Sequence, residues 1–246
     1  MKRIPSLPFK PEDFVRYPEH ACLAKDATAP APELISELHA IVKTGTPREI
    51  KIAMENAGYD CDAPGVAVMF MAIEPTTGDS LMHTAAAAQR PDAMDALRHF
   101  RTHNAAYYDN PFYALYTHQN HAGDTILHVA ARSGKLAVVA AAFQVFRHEH
   151  LILDEEKLRS GQDAEGHMWD DDNEEAYHMR IGGVLFLVRQ NSEGRTAADE
   201  ARALGFGDIV AWLERTVKAY DTKGESSDPS ILQLWQDSCN EYYGLP

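Results

Sequence analysis

The sequence predicts an all-α fold assembled from repeated helix pairs, and it does so through three observations. A short pattern recurs inside the chain: a turn with glycine, a hydroxyl residue and a helix of small residues, at Gly78–Ala86, Asn120–Val139 and Asn191–Leu213. After the best copy, Leu136, Val139, Phe143 and Phe146 recur at spacings of three and four, which places them on one face of a helix. Gly134 separates that helix from the one before it, as a helix stop does.

Taken in order, residues 1–32 hold six prolines and no helical period, so they read as an extended arm, ordered only where Phe9, Phe14 and Tyr17 dock. Residues 33–64 read as two helices joined at Gly45 and form a first, capping pair. Further pairs are expected near 75–102, 120–147 and 191–217, within a domain spanning 33–219. Thr125 is placed to cap its helix through an otherwise unpaired N–H, and Ala130 and Ala131 let helices approach closely. A polar linker runs from Asp221 to Pro229. Ser230 to Tyr243 then forms an amphipathic helix with Leu232, Trp235 and Cys239 on one face, suited to capping the stack or engaging a partner; both belong to a C-terminal segment, 220–246.

The segment NHAGDTILHVAARSGKLAVV, Asn120 to Val139, resembles the ankyrin repeat: Gly123, Thr125, Leu127, His128, Ala130, Ala131, Gly134, Leu136 and Val139 match, and Ile126 stands where proline is usual. Gly78 to Ala86 is similar, with Ser80 for threonine, Leu81 for proline, His83 retained and Gln89 in place of the break glycine. Asn191 to Leu213 resembles a last repeat through Gly194, Thr196, Asp199, Ala201, Gly205, Ile209 and Val210. The resemblance implies a solenoid of about four helix-turn-helix units, since no unit buries its apolar stripe alone. It also implies that His83 and His128 tie neighbouring turns together. The turn glycines Gly78, Gly123 and Gly194 lie 45 and 71 residues apart. Against an ideal spacing of about 33, this leaves insertions of roughly 12 and 38 residues. They fall near 103–116 and 148–188, the second with a short charged helix, and are expected to lengthen the finger side of the stack.

Composition narrows the function classes. The chain has 246 residues, 45% hydrophobic and 24% charged, enough for a core without disulfides or metal. Cys22, Cys61 and Cys239 are odd in number and far apart, which fits a reducing compartment, cytoplasm or nucleus. Neither a signal peptide nor a membrane-length apolar run is read in the chain. With 37 acidic against 23 basic residues, the net charge of -14 repels a phosphate backbone and attracts a basic protein.

Several constellations invite chemistry. Twelve histidines include the near neighbours His118, His121 and His128, and His148 with His150; none has a full ligand set at a familiar metal spacing, so no metal or other cofactor is expected. Asp170, Asp171, Asp172, Glu174 and Glu175 lack the calcium-loop pattern and read as a solvated docking patch for lysine and arginine. No nucleophile elbow or phosphate loop is present, and no catalytic residue is assigned. The rings Tyr107, Tyr108, Phe112, Tyr113 and Tyr116 either cover the edge of the stack or serve a partner, with Tyr113 and Tyr116 as anchors in the second case.

The resemblance places partner contacts on the concave face, at Thr76, Thr77, Asp79, Ala87 and Ala88, then His121, Ala122, Asp124, Arg132 and Ser133, and last Ser192, Glu193, Arg195, Ala203 and Leu204. The expected function is that of a non-catalytic adaptor or escort, a scaffold binding a basic protein through that face and the inserted loops. Three alternatives stand beside it: a dedicated chaperone of a ribosomal protein or histone, a secreted bacterial effector or immunity protein, and an enzyme with its site in the 148–188 insertion.

Overall fold

The computed structural model of the chain describes residues 7–8, 10, 27–63, 65–102, 113–146, 153–161 and 173–243, and all regular structure among them is helical. The chain is all-α. Helices α1 (Pro32–Thr44) and α2 (Pro47–Asp60) turn at Gly45, each with proline in its first turn, where the missing N–H has no intrahelical partner to lose. Thr46 starts α2 through a reciprocal cap: it accepts from Glu49 N at 3.3 Å, while Glu49 Oε2 accepts from Thr46 N at 2.6 Å. A helix without a counterpart in the sequence reading follows, α3 (Gly65–Met71), with Ala67 to Ile73 wholly buried.

Next come α4 (Leu81–Ala87) and α5 (Pro91–Thr102), a short α6 (113–117), and α7 (Ile126–Arg132) with α8 (Leu136–Phe143), which tightens into a 3-10 turn at Gln144–Phe146. After them lie α9 (Glu155–Ser160), α10 (Glu174–Val188), α11 (Ala197–Ala203), α12 (Gly207–Tyr220) and α13 (Pro229–Tyr243). Two layers result. Helices α1, α4, α7 and α11 pack side by side in one, and α2, α5, α8 and α12 neighbour one another behind them. The stripe Leu136, Val139, Phe143 and Phe146 faces the interior between elements, and all four side chains are buried.

The segment 148–188 corrects an expectation. It was expected on the exposed finger side, yet α10, its C-terminal part, lies against α12, α13 and the 3-10 turn. The reason is the composition of the helix: Ile181, Val184, Leu185, Phe186 and Leu187 are all buried, and a helix apolar around its circumference has no side to leave in water. Gly182 and Gly183 make the packing close. A Cβ at Gly182 would stand 2.9 Å from Tyr113 Cε2, and one at Gly183 would stand 3.0 Å from Tyr220 Cδ1. The charged helix expected in the same segment is α9, capped by Asp154 and ended by Gly161 at φ 80°, and it is held to α12 by Arg215 Nη2 donating to the Leu158 carbonyl at 2.7 Å.

The C-terminal helix covers α10. Trp235 and Cys239 are buried against it, and the His178 ring of α10 stacks on Tyr242 at 3.9 Å between centroids. Among the described residues, no helix is long and apolar enough to cross a membrane.

Overpacking the glycine contact on α10 is expected to be costly. Gly182→Val should lower unfolding stability by about 2 kcal/mol in urea denaturation. Gly207→Ala, where a Cβ meets nothing within 4 Å, should change it by less than about 0.5 kcal/mol. Equal effects from the two substitutions would refute the close packing.

Candidate partner-binding surface

Three similar glycine turns precede α4, α7 and α11, the first one residue longer than the other two. Each is closed by a backbone bond, Glu74 N to Asp79 O at 2.9 Å, Asn120 N to Asp124 O at 3.0 Å and Asn191 N to Arg195 O at 2.9 Å. Each also carries a glycine at positive φ: Gly78 at 75°, Gly123 at 75° and Gly194 at 73°. Side chains rarely adopt that conformation, and at two of the turns there is no room for one either. A Cβ at Gly78 would stand 2.6 Å from His121 Cδ2, and one at Gly123 would stand 2.5 Å from Ser192 N.

The turns are laced into a ladder. His121 N donates to Thr77 O at 2.9 Å and Ser192 N to Ala122 O at 3.2 Å, so the edge of one turn pairs with the edge of the next. Histidines add a second set of ties. The Asp124 carbonyl, which only accepts, lies 3.0 Å from His83 Nε2 and assigns the ring proton there, leaving Nδ1 to accept from Ser80 N at 3.4 Å beside the Ser80 hydroxyl at 2.8 Å. His128 repeats the arrangement, with Thr125 N at 3.2 Å from Nδ1 and Arg195 O at 2.9 Å from Nε2. In both rings burial is the dominant influence: it lowers His83 to about 4 and outweighs the raising effect of the Arg195 carbonyl on His128.

On this frame Thr76, Thr77, Ala87, His121, Ala122, Ser192, Glu193, Ala203 and Leu204 are exposed, and Asp79, Ala88, Arg132, Ser133 and Arg195 are half-buried. Asp79 accepts from Asn120 Nδ2 at 2.7 Å, and the Ser133 carbonyl accepts from Gln89 Nε2 at 3.2 Å. Gln89, in the position of a break glycine, adopts φ 57°, and its amide crosses to the next helix pair.

Asp124, placed by the sequence among partner contacts, is buried. It accepts from Arg132 Nη2 at 2.5 Å and from Asn191 Nδ2 at 2.9 Å. Burial pushes its carboxyl up, but these two hydrogen bonds overcome that and hold it below the usual carboxylate range. Glu200, buried beside it and unremarked in the sequence, accepts from Asn191 Nδ2 at 2.8 Å and Arg195 Nε at 3.0 Å, with Arg132 Nη1 at 3.4 Å. Two carboxylates and two guanidinium groups thereby join α7 to the third turn and α11. Arg195 also pairs with Glu193 at the surface. The burial of Asp124 and Glu200 is not legible in the sequence, because it arises only when three segments distant in sequence meet.

Tyr113 and Tyr116 are corrected likewise. At 4% and 1% exposure their rings lie in the core, where they offer no anchor to a partner. Tyr113 packs edge-on against Phe146 at 6.0 Å and against Gly182. Tyr107, Tyr108 and Phe112 lie outside the described residues, as do Phe9, Phe14 and Tyr17. The acidic run is described in part: Glu174 and Glu175 are exposed in the first turn of α10, where negative charge complements the helix dipole, and Asp170, Asp171 and Asp172 lie outside the described residues.

Of the histidines weighed as metal ligands, His148 and His150 lie outside the described residues, and His118, His121 and His128 are engaged separately. His118 Nε2 lies 2.8 Å from Gly78 O and His121 Nδ1 lies 3.0 Å from Thr76 O, while His128 bonds Arg195 O. Among the described residues, no group of three His, Cys, Asp or Glu side chains is placed to hold a metal ion. Compared with known proteins, the chain matches no family model and no curated sequence.

Two substitutions separate core from surface here. Tyr113→Ala should cost about 3 kcal/mol or more in chemical denaturation, the range for deleting a buried ring. Glu200→Ala should cost roughly 2 kcal/mol, less than a fully buried ion pair because Arg132 and Arg195 keep 34% and 43% side-chain exposure. A Glu200→Ala protein as stable as the wild type would show that the cluster contributes nothing to joining the helix pairs.

Proposed function

We propose that the helix pairs are ankyrin-type units and that the chain is a non-catalytic protein-binding module, an adaptor or escort for a basic protein. The observation that carries this reading is the ladder of turns. A glycine turn occurs three times, once with an extra residue, the copies are joined edge to edge, and this scaffold holds a row of exposed side chains: Thr76, Thr77, His121, Ala122, Ser192 and Glu193. A surface held this way loses little entropy on binding, which favours recognition of a folded or extended protein segment. The net charge of -14 supports a basic partner, because opposite charge speeds encounter. In this reading the inserted segments have divided roles: α6 and α10 are scaffold, and the acidic run from Asp170 to Glu175 steers.

The test uses a partner captured by the intact chain and then purified. Thr77→Arg combined with Ser192→Arg should weaken its binding tenfold or more at unchanged melting temperature, by placing bulk and positive charge on the ladder. Neutralising Asp170, Asp171, Asp172, Glu174 and Glu175 should slow association and flatten its salt dependence. Full affinity in the arginine variant would place the contact elsewhere and end the reading of this face.

A further inference from the structure

We propose that the end of the turn ladder at Glu193, Gly194 and Asp199 seats an extended segment of a partner protein, one that carries lysine or arginine and donates a backbone N–H to the Glu193 carbonyl. The inference rests on the reading of the chain as a binder of a basic protein, and it names the place where that partner is held. The ladder has a direction. The residue before each turn glycine offers its carbonyl to the next turn: Thr77 O accepts from His121 N at 2.9 Å and Ala122 O from Ser192 N at 3.2 Å. Glu193 stands in the same place before Gly194, and among the described residues no backbone N–H meets its carbonyl. The glycines differ in the same way. Gly78, Gly123, Gly134, Gly194 and Gly205 all have φ between 71° and 78°, so the backbone accounts for the residue type at each, and the difference is in what lies over them. His121 covers Gly78, Ser192 covers Gly123 and Phe206 covers Gly134, each within 3.0 Å of where a Cβ would stand, whereas at Gly194 and Gly205 nothing stands within 4 Å. The last helix pair thus leaves uncovered the same two notches, in turn and helix break, by which it sits on the pair before it.

The chemistry of this end selects the occupant. A further turn of the same kind does not fit. The third residue after the capping hydroxyl is histidine in α4 and α7, and its Nε2 donates to the carbonyl of the next turn. In α11 that residue is Asp199, whose Oδ2 accepts from Thr196 N at 3.0 Å and whose Oδ1 accepts from Arg202 Nη1 at 2.6 Å. A carboxylate has no proton to offer a carbonyl, and it attracts a donor instead. Nor does a second copy of this chain fit. The N–H groups that its first turn would bring, Thr76 N and Thr77 N, already donate to Glu74 Oε2 at 2.9 and 2.6 Å, so that end of the ladder is closed. Charge favours a cation. Glu193, Asp199 and Glu214 keep 62%, 43% and 56% side-chain exposure; Arg202 is shared between Asp199 and Glu214, and Arg195 between Glu193 and the buried Glu200. Negative charge is therefore in surplus at this end. Leu204, at the end of α11 and 50% exposed, offers an apolar contact for the stem of a lysine or arginine.

Amide NMR spectra of the full chain, recorded during titration with a blocked heptapeptide of alternating lysine and valine, test the proposal. The largest shifts are expected at Gly194, Arg195, Asp199, Leu204 and Gly205. Methylating the peptide's backbone nitrogens keeps its charge but removes its N–H donors, and should weaken this contact about fivefold. Attraction to the acidic run is insensitive to that change. Leu204→Lys combined with Glu214→Lys, both at exposed positions, should weaken it about tenfold at unchanged melting temperature. If that variant does not fold, the methylated peptide alone decides, because it leaves the protein untouched. Shifts confined to Thr77, His121 and Ala122 would overturn the proposal while leaving the wider reading of the ladder as a binding face in place. Equal affinity for the methylated peptide, no shift at the third turn, or shifts of Gly194 and Gly205 that follow the concentration of the chain without peptide would overturn it as well. The wider reading fails separately, through full affinity of the captured partner for the arginine variant of the ladder.

Discussion

Both ring nitrogens of His83 and His128 are occupied, and the order of the helix pairs depends on that double engagement. A buried imidazole with one nitrogen unpaired would carry a desolvation penalty, whereas here each ring closes the start of its own helix and clamps the next turn. The ties act across 41 and 67 residues of sequence, so they fix how one pair sits on the next as well as the local turn.

Behind the turns, the second layer is held by a different kind of contact. Phe143 and Phe146 meet Phe186, Trp212 and Tyr220 at centroid distances between 5.2 and 6.4 Å, and Tyr113 joins the group through Phe146. These rings come from α6, α8 with its 3-10 turn, α10 and α12, so described parts of both inserted segments belong to the core. The Tyr220 hydroxyl donates to the Phe146 carbonyl at 2.7 Å and satisfies a backbone group left open where α8 ends. Polar clamps join the turns in front, and aromatic burial fills the space behind.

Between these layers and the surface sits the cluster of Asp124, Arg132, Asn191, Arg195 and Glu200. Its carboxylates are buried and its guanidinium groups partly exposed, so charge is balanced internally and little of it is offered outward. The exposed side chains of the ladder are mostly small and polar. In the proposed function, long-range attraction therefore comes from charge elsewhere on the molecule, and fit comes from the shape of the turns.

By itself the sequence determined the helical class, the three glycine turns, the core stripe of α8, the histidines at the helix starts and the apolar face of α13. Each of these is a local matter of spacing or of the backbone conformation a glycine permits, and it is written within some twenty residues. Only the tertiary structure decided that Tyr113 and Tyr116 are core, that Asp124 and Glu200 share Arg132, and that α10 lies behind the stack. An apolar helix or an aromatic cluster states that burial is favourable but not against what, and a carboxylate has no burial of its own until distant segments meet. Gly182 and Gly183 show the limit most directly: two adjacent glycines carry little meaning in sequence, and acquire it when the Tyr113 and Tyr220 rings close over them.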